Sequence, residues 1–307
     1  MNAIALASNQ FPPFPSEYLP GYIARLFHLL ASNNMKQFFS FNLSGTIGKT
    51  DVLVPKVALN FAYVGESLNG GGAFLASHQN ARFWRGFIKE DYFKKSLSTI
   101  KANNKCTKRL FDGEEVLASL KPLKWCEECH VQDEDAFGVG IWHSIHQVPT
   151  AQRCPIHQCY LKQINLQSPE TLLDYPVINE SVIKRSSDVY RGEILQQLDI
   201  WSGTIMSRPS EETRDWLNDV RADMKYALHL GVGKSTKKQQ LYKDWRAFLK
   251  SNDWLNQADL QAMQMLTTSN HFTPASLLSG TATTTHPIIF MLLMSFAKEY
   301  SSFRVQF

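Results

Sequence analysis

Residues 125–161 read WCEECHVQDEDAFGVGIWHSIHQVPTAQRCPIHQCYL and contain four of the five cysteines of the 307-residue chain. Cys126 and Cys129 form one Cys-x-x-Cys pair, and Cys154 and His157 form a second pair with the same spacing. A turn of this spacing places two donor atoms on one side of a metal ion, and two such turns supply the four ligands of a tetrahedral zinc site. The pattern predicts one structural Zn²⁺ ion bound by Cys126, Cys129, Cys154 and His157.

Other interpretations of this Cys/His segment stay open. A Cys-x-x-Cys pair is also the pattern of a redox site, with Cys154 and His157 unrelated to it. Cys159 is the spare thiol and could replace His157 as the fourth ligand, although its spacing from Cys154 is less regular. A catalytic zinc ion needs an open coordination position. Because four good protein ligands leave none, we expect a structural ion and no enzymatic activity.

The remaining polar residues of the segment are expected to support the site. His130, His143 and His146 should pack or form hydrogen bonds, and one of them could orient a ligand. Trp125 and Trp142 should pack beside the metal-binding turns. Because the segment is short and polar, we expect metal binding, worth about 10 kcal/mol, to supply its folding free energy.

The rest of the chain is predicted to be mainly α-helical. Apolar residues recur at helical spacing from Leu19 to Leu30 and again after Thr236, which has capping-box spacing to Gln239. Further helices are predicted over residues 55–68 and 81–101, and from Thr273-Pro274 and Thr285-His286-Pro287 onward.

These patterns predict three parts. An N-terminal helical domain occupies residues 1–102, a small zinc-binding module residues 103–165, and a C-terminal helical domain residues 166–307. The helical parts could contain helix-turn-helix units, particularly over residues 236–280, where a second helix would read DNA bases.

Positive charge is concentrated in one stretch of the chain. Of 32 basic and 28 acidic residues, residues 82–109 contain nine basic and two acidic ones, which leaves 23 basic against 26 acidic residues elsewhere. A local excess of this kind is expected of a phosphate-facing surface. The candidate nucleic-acid contacts are Arg82, Arg85, Lys89, Lys94, Lys95, Lys101, Lys105, Lys108 and Arg109.

The sequence gives no sign of export or membrane insertion. The N-terminal residues MNAIALASNQFPPFP lack the charged region and the long apolar core of a signal peptide. The longest strongly apolar run, residues 288–296, is about half of the ~20 residues that span a bilayer. We expect an intracellular, soluble protein with no membrane partner.

Residues 126–161 resemble the zinc-binding segment of the TniQ/TnsD family. The similarity is carried by the Cys-Glu-Glu-Cys pair, the block Trp142-His143-x-x-His146-Gln147-Val148-Pro149, and Cys154-Pro155-x-His157 followed by Leu161. Residues 15–26, PSEYLPGYIARL, resemble the opening helix of the family. Residues 78–95 and His286-Pro287-Ile288 are similar to its TnsD branch.

The resemblance implies a protein of the bacterial cytoplasm, associated with the nucleoid, that selects target sites for a cut-and-paste transposon. TnsD-type members bind double-stranded target DNA and recruit the AAA+ ATPase regulator, TnsC. TniQ members of CRISPR-associated elements instead link an RNA-guided Cascade complex to that ATPase. We favour the DNA-binding selector, with the Cascade adaptor as the alternative. The chain is short for a TnsD, so either a compact TniQ or an N-terminal piece of a TnsD is implied, and a homodimer is possible.

Overall fold

The structure is a computed structural model, and it describes residues 11–30, 83, 86–91, 122–165, 174–230, 235–252, 272–279 and 286–301. These residues are mainly helical, with one small three-stranded sheet and a cluster of cysteine and histidine side chains. The predicted fold class is therefore confirmed. The described residues fall into two compact units. Unit 1 contains residues 11–30 and the described residues of 122–189, and unit 2 contains residues 83, 86–91 and the described residues of 190–301.

Unit 1 combines short helices with the sheet. Its elements are α1 (Leu19–Leu29), β1 (Pro122–Trp125), α2 (Glu127–Phe137), a 3₁₀ turn (Ser144–Gln147), β2 (Lys162–Asn165), α3 (Glu180–Arg185) and β3 (Ser187–Asp188). The strands are antiparallel in the order β1-β2-β3, with Trp125 opposite Lys162 and Gln163 opposite Ser187.

Helix α1 forms where the apolar stripe predicts it. Leu19, Tyr22, Ile23 and Leu26 are buried, and a proline stands in the first turn, where its missing N–H costs nothing. Gly21 lies directly against Trp142, because a Cβ at this position would be 2.9 Å from Trp142 Cδ1. The close approach of α1 to the Cys/His segment therefore requires a glycine here.

The core of unit 1 is shared between distant segments. It consists of Tyr18, Leu123, Trp125, Trp142, Ile164, Ile178 and Val182. Both predicted tryptophans are part of it, and the other members come from the N-terminal segment, from β1 and β2, and from residues around α3. The Cys/His segment thus has an apolar core to fold on in addition to its predicted metal ligands.

Unit 2 is built around one helix that is buried over most of its length. Its elements are α4 (Glu193–Ser207), α5 (Ser210–Ala227), α6 (Ser235–Lys250), α7 (Pro274–Leu278) and α8 (Pro287–Tyr300). Every residue of α8 from Pro287 to Ala297 is buried, and α4, α5 and α6 pack against it. A helix that is apolar on all sides is expected at the centre of a bundle. No helix among the described residues combines the length and the apolar character needed to cross a membrane.

Several predicted helix starts are confirmed. Thr273 and His286 are the N-cap residues of α7 and α8, with a proline following each. Helix α6 begins at Ser235, so Thr236 lies in its first turn instead of capping it. The helix predicted over residues 55–68 and the domain boundary at 102/103 lie outside the described residues. The boundary at 165/166 stays a prediction.

The prediction of one continuous helix over residues 81–101 is wrong for the residues of this range that the structure describes. Gly86 and Phe87 form a turn, and Ile88 and Lys89 are not helical, before the chain becomes helical again at residue 90. The reason is tertiary packing. A Cβ on Gly86 would lie 2.4 Å from Thr213 Cγ2 of α5, and the Phe87 ring packs edge-on against Phe290 of α8, with 5.9 Å between the ring centroids.

The buried N-cap of α8 should make the stability of the protein pH-dependent. His286 Nδ1 accepts a hydrogen bond from Ile289 N, and burial lowers the pKa of His286 from 6.5 to about 3. The unfolded chain therefore binds a proton at this histidine below about pH 6.5, whereas the folded chain does not. This contribution to stability is complete above pH 6.5 and is lost as the pH falls towards 3.

We expect H286N, which keeps a side-chain acceptor at the N-cap, to weaken the acid destabilisation by up to about 1.4 kcal/mol per pH unit. Urea unfolding of the metal-loaded protein at several pH values between 4.5 and 7.5 measures this slope. The control is H229N, at an exposed histidine just after α5. Equal slopes for H286N and the unmodified protein would contradict the prediction.

Candidate metal centre

The first pair of predicted ligands lies at the start of α2. Cys126 follows β1 and is the N-cap residue of α2, where its sulfur accepts a hydrogen bond from Cys129 N at 3.5 Å. Cys129 lies in the first turn of the same helix. Backbone N–H groups and the helix dipole favour negative charge at this position, so the local structure suits thiolates.

The second pair lies in a tight loop, residues 154–159. Cys154 N donates to Cys159 O at 2.9 Å, and Gln158 N donates to Cys154 O at 2.8 Å. The loop closes because Gln158 adopts a left-handed conformation with φ of 57°. His157 N points to Cys154 Sγ at 3.5 Å, which is the second such contact between an N–H group and a cysteine sulfur.

The structure brings the four predicted ligands together. The ligand atoms of Cys126, Cys129, Cys154 and His157 all lie within 4.8 Å of one another. His157 Nδ1 is 3.4 Å from Cys126 Sγ, 3.3 Å from Cys129 Sγ and 3.6 Å from Cys154 Sγ, and the last two sulfurs are 3.7 Å apart. The three cysteines are buried and His157 is half-buried. This arrangement is compatible with a bound metal ion.

The electrostatics of the three thiols also favour a cation. Burial raises the pKa of Cys126 to about 12. The pKa of Cys129 is raised by its hydrogen bond to the Cys154 sulfur and by burial. The pKa of Cys154 is lowered to about 2, because its sulfur accepts hydrogen bonds from Cys129 and His146. Adjacent sulfurs thus compete for a single negative charge, and a divalent cation between them would allow all three to be thiolates.

Two further histidines form a chain of contacts to the ligands. His146 is buried, and its Nε2 lies 3.4 Å from Cys154 Sγ and 3.9 Å from Cys129 Sγ. The His143 ring packs beside it, with 5.2 Å between the centroids, and His143 Nε2 lies 2.9 Å from Asp133 Oδ2. Contacts of this kind orient ligands and moderate the charge on sulfur, as expected for these histidines.

A buried lysine fixes the segment that leads to the second pair. Lys124 precedes Trp125 on β1, and only 6% of its surface is exposed. Its ammonium group donates three hydrogen bonds of 2.8–3.0 Å to the carbonyl oxygens of Val148, Pro149 and Ala151. All three donors of the ammonium group are satisfied, so the charge is tolerated away from water.

Gln147 joins the same segment to the backbone of β1. Its Oε1 accepts from Lys124 N at 3.0 Å, and its Nε2 donates to Lys124 O at 2.7 Å and to His143 O at 3.0 Å. The amide therefore acts like one residue of an additional strand on the edge of β1 that β2 does not cover. Together, Lys124 and Gln147 connect the strand before Cys126 to the chain that leads to Cys154.

The N-terminal segment is attached to the same place. Ser144 N donates to Ser16 O at 2.9 Å, and Glu17 and His143 form an isolated antiparallel bridge. The Glu17 carboxylate is buried and accepts two hydrogen bonds from Arg25, at 2.7 and 2.8 Å. This bidentate ion pair holds the turn before α1 in the conformation that reaches the Cys/His segment.

The described residues include one of the nine predicted nucleic-acid contacts. Of the nine basic residues between 82 and 109, only Lys89 lies among the described residues, and it is exposed. The other eight, Arg82, Arg85, Lys94, Lys95, Lys101, Lys105, Lys108 and Arg109, lie outside them. Their role stays a prediction.

Sequence reasoning missed the polar residues that fix the metal ligands. Gln147 belongs to the block that carries the family resemblance, so a signal for it existed. Lys124 had none, because lysine is rarely buried and its three acceptors are backbone atoms. Asp133 stands beside Glu134 and Asp135 in an acidic run, a pattern typical of a solvated surface, but it is buried against His143 and accepts a hydrogen bond from Ile141 N.

No protein-family model matches this sequence, and no curated protein matches it. The likeness of residues 126–161 to the TniQ/TnsD family therefore stays a resemblance.

Replacing the buried lysine should destabilise unit 1 without removing a metal ligand. We expect K124M to lower the free energy of unfolding by about 3 kcal/mol, because three carbonyl groups at buried or half-buried residues lose their donor. Chemical denaturation of the metal-loaded protein measures the change. The control is K184M, at an exposed lysine whose partner Glu180 is also exposed, and it should have little effect. Equal unfolding midpoints for both variants would show that the Lys124 contacts contribute nothing.

Proposed function

We propose that the chain binds one structural Zn²⁺ ion and acts as a non-enzymatic target-site selector in transposition, which binds target DNA and recruits a TnsC-like AAA+ ATPase. The main support for the proposal is a set of contacts beside the candidate metal centre. Two of the sequence blocks that resemble the family, residues 15–26 and the block beginning at Trp142, are hydrogen-bonded to each other there. These two blocks of the resemblance thus belong to the same structural unit, unit 1.

Zinc is the ion that best fits the four donors. With Zn–S and Zn–N bonds of about 2.3 and 2.0–2.1 Å, the donor atoms of a tetrahedral site lie about 3.5–3.8 Å apart. The distances from His157 Nδ1 to the three sulfurs, and from Cys129 Sγ to Cys154 Sγ, are 3.3–3.7 Å. Three thiolates and an imidazole favour zinc over the oxygen-seeking cations Mg²⁺ and Ca²⁺. Four protein ligands fill the tetrahedron, which supports a structural role over a catalytic one.

Removing one buried ligand should remove the ion. The purified protein is expected to contain about one equivalent of zinc by elemental analysis. C129S should lose most of it and become sensitive to proteolysis within residues 126–161, because the ligand loops are no longer joined. The matched control is C106S, which removes the one cysteine that lies outside residues 125–161 in the sequence and should keep the ion. Less than about half an equivalent in the unmodified protein would contradict the zinc proposal.

The surface beside the metal centre is unsuited to DNA. The exposed side of α2 carries Glu127, Glu128, Glu134 and Asp135. These carboxylates would repel phosphates. The zinc ion therefore serves best to organise unit 1, and the DNA contacts of the proposed selector must come from elsewhere in the chain.

Helix α6 of unit 2 has the charge pattern that such contacts require. It contains five basic residues and one acidic residue, and the acidic one, Asp244, accepts a hydrogen bond from Gln240. Its apolar side, with Leu241, Trp245 and Leu249, is buried. The opposite side presents Lys243, Arg246 and Lys250, which are exposed and recur at helical spacing.

The dimensions of this basic stripe fit a nucleic-acid backbone. Lys243 and Lys250 are separated by about 10 Å along the helix axis, a length over which duplex DNA carries about six charges. Among the described residues, no ion pair includes Lys243 or Arg246, so both are available to bind phosphates. Such contacts position a protein on DNA without specifying sequence. Base recognition would then come from another element.

The salt dependence of DNA binding tests this proposal. For a mixed-sequence duplex of about 40 base pairs, we expect K243A/R246A to weaken binding and to reduce the log–log salt slope by about 2, because two phosphate contacts are lost. K184A/K225A, which removes two exposed lysines from α3 and α5, is the charge-matched control and should change the slope much less. An unchanged slope for K243A/R246A would exclude α6 as the contact surface.

The Cascade adaptor remains the second candidate function, because the resemblance covers both branches of the family. If the zinc-loaded protein shows a salt slope near zero with duplex DNA, the selector proposal is wrong in its DNA part. Pull-down with a TnsC-like ATPase and with Cascade subunits then tests the adaptor. Binding to the ATPase alone, together with salt-sensitive DNA binding, supports the selector.

A further inference from the structure

We infer that the metal centre has a fifth donor, Cys159, which can take the place of His157 and convert a site of three thiolates and one imidazole into one of four thiolates. The inference rests on the proposed zinc site and extends it, because it gives the site a second coordination state. That state would bind thiophilic divalent cations, Zn²⁺ and Cd²⁺ in particular.

The distances around Cys126 support this inference. Cys159 Sγ lies 3.3 Å from Cys126 Sγ, and His157 Nδ1 lies 3.4 Å from the same sulfur. Two sulfurs bound to one zinc ion are about 3.8 Å apart. Cys159 is therefore already as close to one ligand as a neighbouring ligand would be.

The backbone of the loop allows the exchange. His157 and Cys159 both belong to the loop of residues 154–159, whose hydrogen bonds hold Cys154 and Gln158 in place. Both exchangeable side chains are half-buried, whereas Cys126, Cys129 and Cys154 are buried. The exchange therefore involves side-chain rotation at the solvent side of the cluster, and the three buried sulfurs keep their positions.

The exchange is balanced as a ligand substitution. The bond between the metal and His157 breaks, and the imidazole leaves as a neutral group. A bond between the metal and Cys159 sulfur forms, and the thiol proton passes to solvent. No electron is transferred. The net charge of the metal and its ligands changes from −1 to −2.

His146 is the competing fifth donor. Its Nε2 lies near Cys154 and Cys129, and its Nδ1 has no hydrogen-bond partner among the residues that the structure describes. Its ring is buried and packs against His143. Because Cys159 is half-buried and already in contact with a third ligand, Cys126, we favour Cys159. The two donors differ in element, so spectroscopy distinguishes them.

Cobalt substitution of the full chain tests the inference. In a C106S background, the protein is loaded with Co²⁺, and binding is measured for H157A, C159S and H157A/C159S. We expect H157A to bind one Co²⁺ ion with a thiolate-to-cobalt charge-transfer band about a third more intense, because four thiolates replace three. Its ligand-field bands should move to lower energy. C159S should keep the original spectrum, and H157A/C159S should bind at least about tenfold more weakly than H157A.

If H157A binds Co²⁺ as weakly as H157A/C159S, Cys159 is not a donor. If H157A keeps a three-thiolate spectrum that H157A/H146A loses, the fifth donor is His146 and the inference is overturned. H157N is a second variant that keeps a polar side chain at this half-buried position, and failure of both H157A and H157N to bind Co²⁺ also overturns the inference. Failure of the C106S protein itself to bind Co²⁺ would instead contradict the proposed metal site.

Discussion

Unit 1 depends on the convergence of three cysteine sulfurs and one imidazole nitrogen from two separate turns. The first turn is the start of α2, and the second is the loop of residues 154–159. Three thiols in contact inside a protein cannot all carry a negative charge unless a cation compensates them. The opposed pKa values of Cys129 and Cys154 express this competition directly. A bound divalent ion would turn the competition into the interaction that closes the chain between the two turns.

The ligand geometry is supported by buried polar groups as well as by apolar contacts. The ammonium group of Lys124, the amide of Gln147 and the carboxylate of Asp133 each bond to more than one partner. Buried polar groups of this kind specify one arrangement, because any other arrangement leaves a donor or a charge without a partner. This explains how a segment with few apolar residues can hold ligand atoms in fixed positions.

The parts of the structure that follow local rules were predictable from the sequence. The spacing of each ligand pair, the apolar stripe of α1, and the prolines after Thr273 and His286 each act within about one helical turn of chain, and all lead to the observed elements. The errors have a different cause. Strands β1 and β2 form by pairing residues that are far apart in the sequence, such as Trp125 and Lys162. No local pattern encodes such a pairing. The chain turns at Gly86 because Thr213 of α5 lies against it. Neither contact leaves a periodic signal.

In the proposed function, the two units bind different ligands. In unit 1 the ion stabilises the folded state, and in unit 2 the cations of α6 would bind phosphates. A metal ion that binds only the folded state raises the fraction of protein that is folded. It thereby raises the apparent affinity of a second site that exists only in folded protein. The number of phosphates contacted, and therefore the salt slope, does not depend on that fraction. On this physical basis, metal content and salt dependence are separate measures of the two parts of the proposal. The acidic exterior of α2 is in agreement with this division, since a zinc module that contacted DNA itself would carry the opposite charge.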